Sequence, residues 1–264
     1  MNGKDRGAIA LSFTAERYAT AFLVPEDADE VPIFNEIRIN SVTLFATYGV
    51  SPDLDLILNL PFIRSEGFAT QQTLDELGYE NSRSGLQDIS LFLKYKLHAF
   101  RVGANRLDFI ALGGIKTPVS NYKVDEGLQS ILAIGNRATS LTAGGIAQLR
   151  MPVGIYVAGQ AGYSYRSGEV PDAVVGEIKV GYGSSKIHVA VWYAKQFSLG
   201  GVDVLGEGFD GFFPATEVSF TRAGLNVYTP IAKGFGLSGG ANRYVSGRNV
   251  GKSTGYSASL VFTF

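Results

Sequence analysis

Ser84 to Leu97 reads SGLQDISLFLKYKL, and from Asp88 onward it alternates strictly. Ile89, Leu91, Leu93, Tyr95 and Leu97 fall on one parity; Asp88, Ser90, Phe92, Lys94 and Lys96 fall on the other. Successive side chains of an extended chain point to opposite faces, so this stretch is a strand with one apolar and one mixed face. Leu54 to Phe62 repeats the pattern, with Leu54, Leu56, Leu58, Leu60 and Phe62 on one face. So does Lys186 to Tyr193, where Ile187, Val189, Val191 and Tyr193 oppose Lys186, His188, Ala190 and Trp192. Helical stripes at i, i+3, i+4 are few.

Extending the reading gives twelve runs, near 7–24, 33–50, 54–65, 86–98, 106–119, 135–149, 154–167, 172–183, 186–197, 216–229, 235–246 and 253–264. Most are far longer than the five or six residues of an ordinary globular strand. The connections alternate. Those at 51–53, 99–105, 150–153, 184–185 and 230–234 are short, and those between them are mostly longer. Short turns on one side and long loops on the other are the layout of an antiparallel transmembrane barrel. The expected fold is therefore all-β, a single-domain, 12-stranded barrel over residues 1–264. An even strand number places both termini on the periplasmic side.

Polarity separates this from a soluble barrel. Strands about 4.8 Å apart and tilted about 40° close, at twelve staves, on a radius of roughly 12 Å. That lumen is too wide to fill as a dry core. The mixed face then points inward and the apolar face meets lipid. Aromatic residues cluster toward both strand ends, with Tyr48, Tyr95, Tyr156, Tyr182, Tyr228, Phe235 and Phe264 near the short turns. Tyr18, Phe22, Phe62, Tyr163, Tyr165, Tyr193 and Tyr256 lie toward the long loops. Two interfacial girdles are expected from them.

Composition removes other classes. Lys plus Arg number 23 against 24 Asp plus Glu, without the basic excess that nucleic acid requires. Cysteine is absent, which excludes thiol chemistry and cysteine-built metal sites. The longest stretch free of Asp, Glu, Lys and Arg is the 15 residues Met151 to Tyr165, short for a membrane helix.

Tyr256, Ala258, Leu260, Phe262 and Phe264 alternate to the last residue. This is similar to the C-terminal signal read by bacterial barrel-assembly machinery, with Phe264 as its end. Met1-Asn2-Gly3-Lys4 carries no apolar leader, so the chain is expected to be a mature form behind an added Met.

Three segments together resemble the outer-membrane channels linked to phenol-degradation operons, the MetA-pathway type. YGVSPDLDLILNLPFI (48–63) resembles their first periplasmic hairpin and Leu-Pro strand, SGLQDISLFLKYKL (84–97) their Gly-Leu-Gly-Asp strand, and LGGIKTPVSNY (112–122) their Lys-Thr-Pro strand end. The likeness runs from about 48 to 150. Gln87 stands where the family usually has Gly, and Val119-Ser120 where it has Thr-Gly. The resemblance implies a monomeric twelve-strand channel for small, hydrophobic compounds.

Lumen parity, or a charge beside a strand, gives the pore-lining candidates Glu16, Arg38, Asp55, Asp88, Lys94, Lys96, Asp108, Lys116, Glu177, Lys179, His188, Trp192 and Glu217. A turn at 99–105 places Lys96 opposite Asp108 and Asp88 opposite Lys116; a turn at 184–185 places Lys179 opposite Ala190 and Glu177 opposite Trp192. The charges nearly cancel, so weak ion selectivity is expected. Barrel enzymes acting on lipids use Ser/His pairs. Here only His98 and His188 are available, one at a strand end and one on the lumen parity, and both read better as a solvated or pore histidine. GRNVGKST (247–254) has one residue too few between its glycines for a phosphate loop. The loop Gly200 to Pro214 carries Asp203, Glu207 and Asp210 without EF-hand spacing, and its Phe209, Phe212 and Phe213 could fold into the pore.

Pro61 is the one proline inside a run; the other eight sit in connections or at margins. On the preceding run, Glu36, Arg38 and Asn40 take the lipid-facing parity of Val42, Leu44 and Ala46. A bulge near Asn40 or Ser41 would return Ile37 and Ile39 to the outside. Bulge and proline would then meet as a kink in the wall and a lateral exit for apolar solutes. The sequence thus points to a passive, cofactor-free outer-membrane channel without metal. Its expected partners are the lipid bilayer and lipopolysaccharide, the assembly machinery and a small solute. A lipid-active barrel enzyme and a closed structural barrel are the alternatives.

Overall fold

The computed structural model describes residues 1–264. In chain order the strands are β1 (Gly7–Tyr18), β2 (Ala21–Phe22), β3 (Glu36–Ser51), β4 (Leu54–Phe68), β5 (Ser82–Leu86), β6 (Asp88–Val102), β7 (Asn105–Pro118) and β8 (Ser140–Arg150). They continue as β9 (Ile155–Arg166), β10 (Ala173–Gly183), β11 (His188–Ser198), β12 (Ser219–Ala232), β13 (Phe235–Arg248), β14 (Val250–Gly251) and β15 (Thr254–Thr263). Helix α1 (Gln71–Leu77) and short 3-10 segments at Gly127–Leu132 and Phe213–Ala215 lie in the long connections.

Twelve strands form a closed antiparallel barrel: β3 pairs with both β1 and β4, so the sheet meets itself. Each stave falls within one of the twelve sequence runs, give or take a few residues. Short β2 and β14 pair as a ribbon at the mouth. Turns on the short side are tight. Lys233 and Gly234 both have positive φ, +50° and +84°, the two-residue geometry whose twist matches a hairpin.

The outward parity is apolar. Ile9, Leu11 and Phe13 on β1, Leu91, Leu93 and Tyr95 on β6, and Leu237 on β13 are all exposed on the outside of the cylinder. No helix is long and apolar enough to cross a membrane. Of the aromatics near the short turns, Tyr48, Tyr95, Tyr182, Phe235 and Phe264 are exposed on the outside. Tyr156 and Tyr228 instead turn inward, where Gly181 and Gly236 on the adjacent strands make room for their rings. Tyr18, expected in the other girdle, also points inward.

Two registers differ from expectation by two residues. Lys96 faces Ile110 and Asp88 faces Pro118, because β6 and β7 run on to a turn at Gly103-Ala104 with a shift beside Leu97. Lys179 faces Trp192 and Glu177 faces Ala194, because the β10–β11 turn occupies residues 184 to 187.

The expected bulge at Asn40 or Ser41 is not formed. The β3–β4 ladder runs without a shift from Glu36–Phe68 to Gly49–Asp55, through Asn40–Arg64, Ser41–Ile63 and Thr43–Pro61. Ile37 and Ile39 do not need the lipid face, because the mouth has its own apolar core. Val31, Phe34, Ile37, Leu74 and Leu132 are buried together there, with Tyr18 and Ile39 packed against them. Glu36, Arg38, Arg64 and Glu66 therefore face outward, beyond the apolar band. The ladder is interrupted on the other side of β4. Pairing shifts from Asn59–Ser90 to Phe62–Leu86 across Pro61, and the Gln87 N–H donates to the Pro61 carbonyl at 2.9 Å. The extra residue there, Gln87, lets Leu86 face outward beside Phe62 while Asp88, on the lumen parity of Ser90 and Lys94, is buried inward.

Candidate functional site: the lumen and its mouth

Inward side chains line a series of cavities along the barrel axis. At the turn end, Asp55, Lys94, Glu177, Lys179 and His188 share a cavity of about 520 Å³. Asp55 is buried, accepts from the Asn2 backbone N–H at 3.0 Å and faces Lys94 across the ladder. The Met1 amine lies 3.9 Å from it. Glu177 and Lys179 pair at 3.0 Å. His188 stacks on Tyr156, its Nε2 lying 3.0 Å from the phenol oxygen. Asp108 is fully buried at the same end, bonded to Arg106 at 2.7 Å and to Arg150.

Midway, Gln160, Glu177, Gln196 and Phe220 line a cavity of about 200 Å³. Trp192 lies flat against the wall. Its Nε1 donates to Asn226 at 2.7 Å, and the ring covers Gly224, where a Cβ would come 2.5 Å from Cε2. Only glycine at 224 lets this large side chain leave the passage clear. Glu16 reaches Arg222 across Gly255, whose Cβ would meet the Glu16 stem at 2.7 Å.

The mouth is covered by two connections held by polar contacts. Residues 120–138 are held through Tyr122, whose hydroxyl donates to buried Asp88 and accepts from the Arg137 N–H at 2.8 Å. Lys116 completes the group, 3.2 Å from Asp88. Burial and the Asp88 bond raise the Tyr122 pKa. In the same connection, burial pushes Glu126 up, but bonds from Lys123 and Arg83 more than offset it and leave it lowered. Residues 199–218 are held by Arg248, which grips Asp203 through two bonds of 2.7 Å and Glu217 through one of 2.9 Å. Asn249 adds bonds to Asp203 at 3.0 Å and to the Glu217 carbonyl at 2.9 Å. The Arg248 bond holds the Asp203 carboxyl below its ordinary value. Between these connections lies a cavity of about 240 Å³ with Ile131, Val204, Phe213 and Val250 among its lining.

The structure thus directs Glu16, Asp55, Asp88, Lys94, Asp108, Lys116, Glu177, Lys179, His188 and Trp192 inward. Arg38 faces outward, half exposed and over the Phe68 ring, because the strand alternation continues unbroken to the mouth. Lys96 belongs to the turn-side rim and pairs with Asp53 rather than Asp108. Glu217 belongs to the clamp at the mouth. Asn40, Ser41 and Pro61 lie in a regular ladder with no opening between β3 and β4. Phe264 closes the cylinder, exchanging backbone bonds with Gly7 at 3.0 and 3.1 Å. Phe213 lies at the mouth with Phe209 packed on it edge-on, and Asp203 is occupied by Arg248. His98 packs on Phe100 at the rim. Arg106, Arg150, Arg166 and Arg222 share lumen parity and were legible by the same period of two. The Arg248–Asn249 clamp had no local signal.

The chain matches no family model and no curated protein sequence. Among solved structures it is similar to the beta domain of the Bordetella autotransporter BrkA, at 11% identity over 99% of this chain and 100% of that one, TM-score 0.49. It is similar also to the translocator domain of the autotransporter NalP of Neisseria meningitidis, at 14% identity over 100% and 90%, TM-score 0.48. The likeness to the COG4313 outer membrane channel of Pseudomonas putida F1 is much stronger, at 14% identity over 99% of this chain and 96% of that one, TM-score 0.73. The chain therefore has the fold of that outer-membrane channel from end to end.

Proposed function

We propose that the protein is a passive outer-membrane channel for small molecules, acting as a monomer and without a catalytic step. The observation that carries this reading is the series of cavities along the axis of a closed barrel with an apolar exterior. Aromatic side chains lie back on glycines, as Trp192 does on Gly224, so the wall is shaped to leave room. Cavity lining also speaks to the solute. The mouth is rich in apolar side chains, and the turn end carries Lys94, Lys179, Glu177 and His188. A small compound with an apolar body and one polar or ionised group fits that order, as an aromatic acid would. The bilayer surrounds it, and the strand ending at Phe264 is its contact with assembly machinery.

Reconstitution tests this directly. Purified protein in planar bilayers should give discrete conductance steps. Liposome swelling should be faster for small aromatic carboxylates than for sugars of equal size. A folded protein that gives neither steps nor swelling with any solute would overturn the channel reading.

A further inference from the structure

Outward-facing charge is costly inside the hydrocarbon layer and tolerable at its edge. One rung of the barrel, just beyond the exposed aromatic Tyr256 on the mouth side, carries a row of it. Arg38 of β3 faces Arg17 of β1, Arg17 faces Thr254 of β15, and Thr254 faces Arg243 of β13. Arg38 has Glu36 and the Phe68 ring as partners. Arg17 and Arg243 are exposed, and neither guanidinium bonds a carboxylate or any other acceptor of this chain. Like charges placed opposite each other on a ladder repel, and a bound anion would relieve that repulsion.

The wall below offers a second, separate feature. One step down the same strands, Tyr256 is flanked by Ala15 and Ala241, which leaves shallow space on either side of its ring. Further down, Leu11, Phe13, Val42, Leu237, Ala258 and Leu260 line a groove of about 410 Å³ on the outside of the barrel. Ala258 forms its floor, with Phe13 beside it on β1 and the side-chain-free Gly239 beside it on β13. An anion-seeking edge thus sits directly above an apolar slot that runs down the wall.

We propose that this face binds a lipid of the outer leaflet that carries phosphate in its headgroup. Arg17 and Arg243 hold the phosphate, Tyr256 lies at the interface, and an acyl chain occupies the groove over Ala258. Two strand spacings separate the arginine backbones by about 10 Å, within reach of two long side chains converging on one headgroup. Planar guanidinium groups suit phosphate oxygens, which accept two parallel bonds from each. The site lies outside the lumen and does not depend on what the channel carries.

The test uses the full chain in phosphatidylcholine nanodiscs doped with diphosphoryl lipid A, or with the same lipid dephosphorylated, and reads bound lipid by native mass spectrometry. Diphosphoryl lipid A should be retained and the dephosphorylated form lost. The double variant Arg17→Gln, Arg243→Gln should hold it about tenfold more weakly, as for loss of charge-assisted bonds. Arg101→Gln, at the opposite rim, should leave retention unchanged. Heat-modifiable gel migration verifies folding of each variant. Ala258→Phe, which fills the groove without touching charge, should also reduce retention. Equal retention of the two lipids, or by the folded double variant and the parent, would overturn the site.

Discussion

Arg248→Met is the most informative perturbation of the mouth, because it keeps the side-chain stem and removes only the guanidinium. The variant loses two bonds of 2.7 Å to Asp203 and one of 2.9 Å to Glu217. Charge-assisted bonds are individually worth about 1.5–3 kcal/mol. Arg248 is 37% exposed, so solvent screening cuts the total sharply. The Asn249 bonds also remain. About 2 kcal/mol is left for pinning residues 199–218, which at 1.4 kcal/mol per decade is about 30-fold in the ratio of released to held loop. In single-channel recordings the variant should spend correspondingly more time open. Asp203→Asn should act in the same direction, and raising salt toward 1 M should move the parent toward the variant by screening. Acid supplies an independent arm. The Asp203 carboxyl is held below its ordinary 3.8, so the clamp is fully present above that pH and is lost as pH falls through the lower folded value. Acidification should therefore raise open time in the parent and leave Arg248→Met unmoved by this group. An unchanged open-to-closed ratio in a folded Arg248→Met protein would show that the clamp does not govern the mouth.

Gly224→Leu should lift Trp192 off the wall into the passage and lower conductance, while Gly224→Leu with Trp192→Ala recovers it; conductance measurements on both report whether the ring was the obstruction. Tyr122→Phe removes the bonds to Asp88 and the Arg137 N–H, weakening the hold on residues 120–138 by about 1–2 kcal/mol, which faster proteolysis of that connection should report. Cysteines at Glu76 or Glu207 should label from outside intact cells and those at Pro52 or Ser185 should not; the reverse pattern would invert the barrel. In detergent the chain should show β-type circular dichroism and heat-modifiable migration, and a strongly helical spectrum would contradict the fold.

Much of this molecule is written in a period of two. Strand number, the alternation of short and long connections, and which face meets lipid follow from residues such as Leu54 to Phe62 and Ile89 to Leu97. The alternation is local, repeats along each stave, and marks a lumen-facing Asp88 or Lys94 without any knowledge of its neighbours. Pairing between staves is a different matter. Register depends on where each turn closes, and two turn residues more or fewer moved Lys96 from Asp108 to Ile110. Ile37 and Ile39 show the larger limit. On hydropathy alone they belong to lipid. They face inward because Leu74 and Leu132, distant in sequence, fold into the mouth beside the neighbouring Phe34 and pack against them. The Arg248 clamp, the Asp88–Tyr122 contact and the Arg17–Arg243 row likewise join residues far apart in the chain. Hydrophobic alternation specifies a face, whereas a contact across the barrel exists only once closure has brought its two ends together, and that is decided by the tertiary structure.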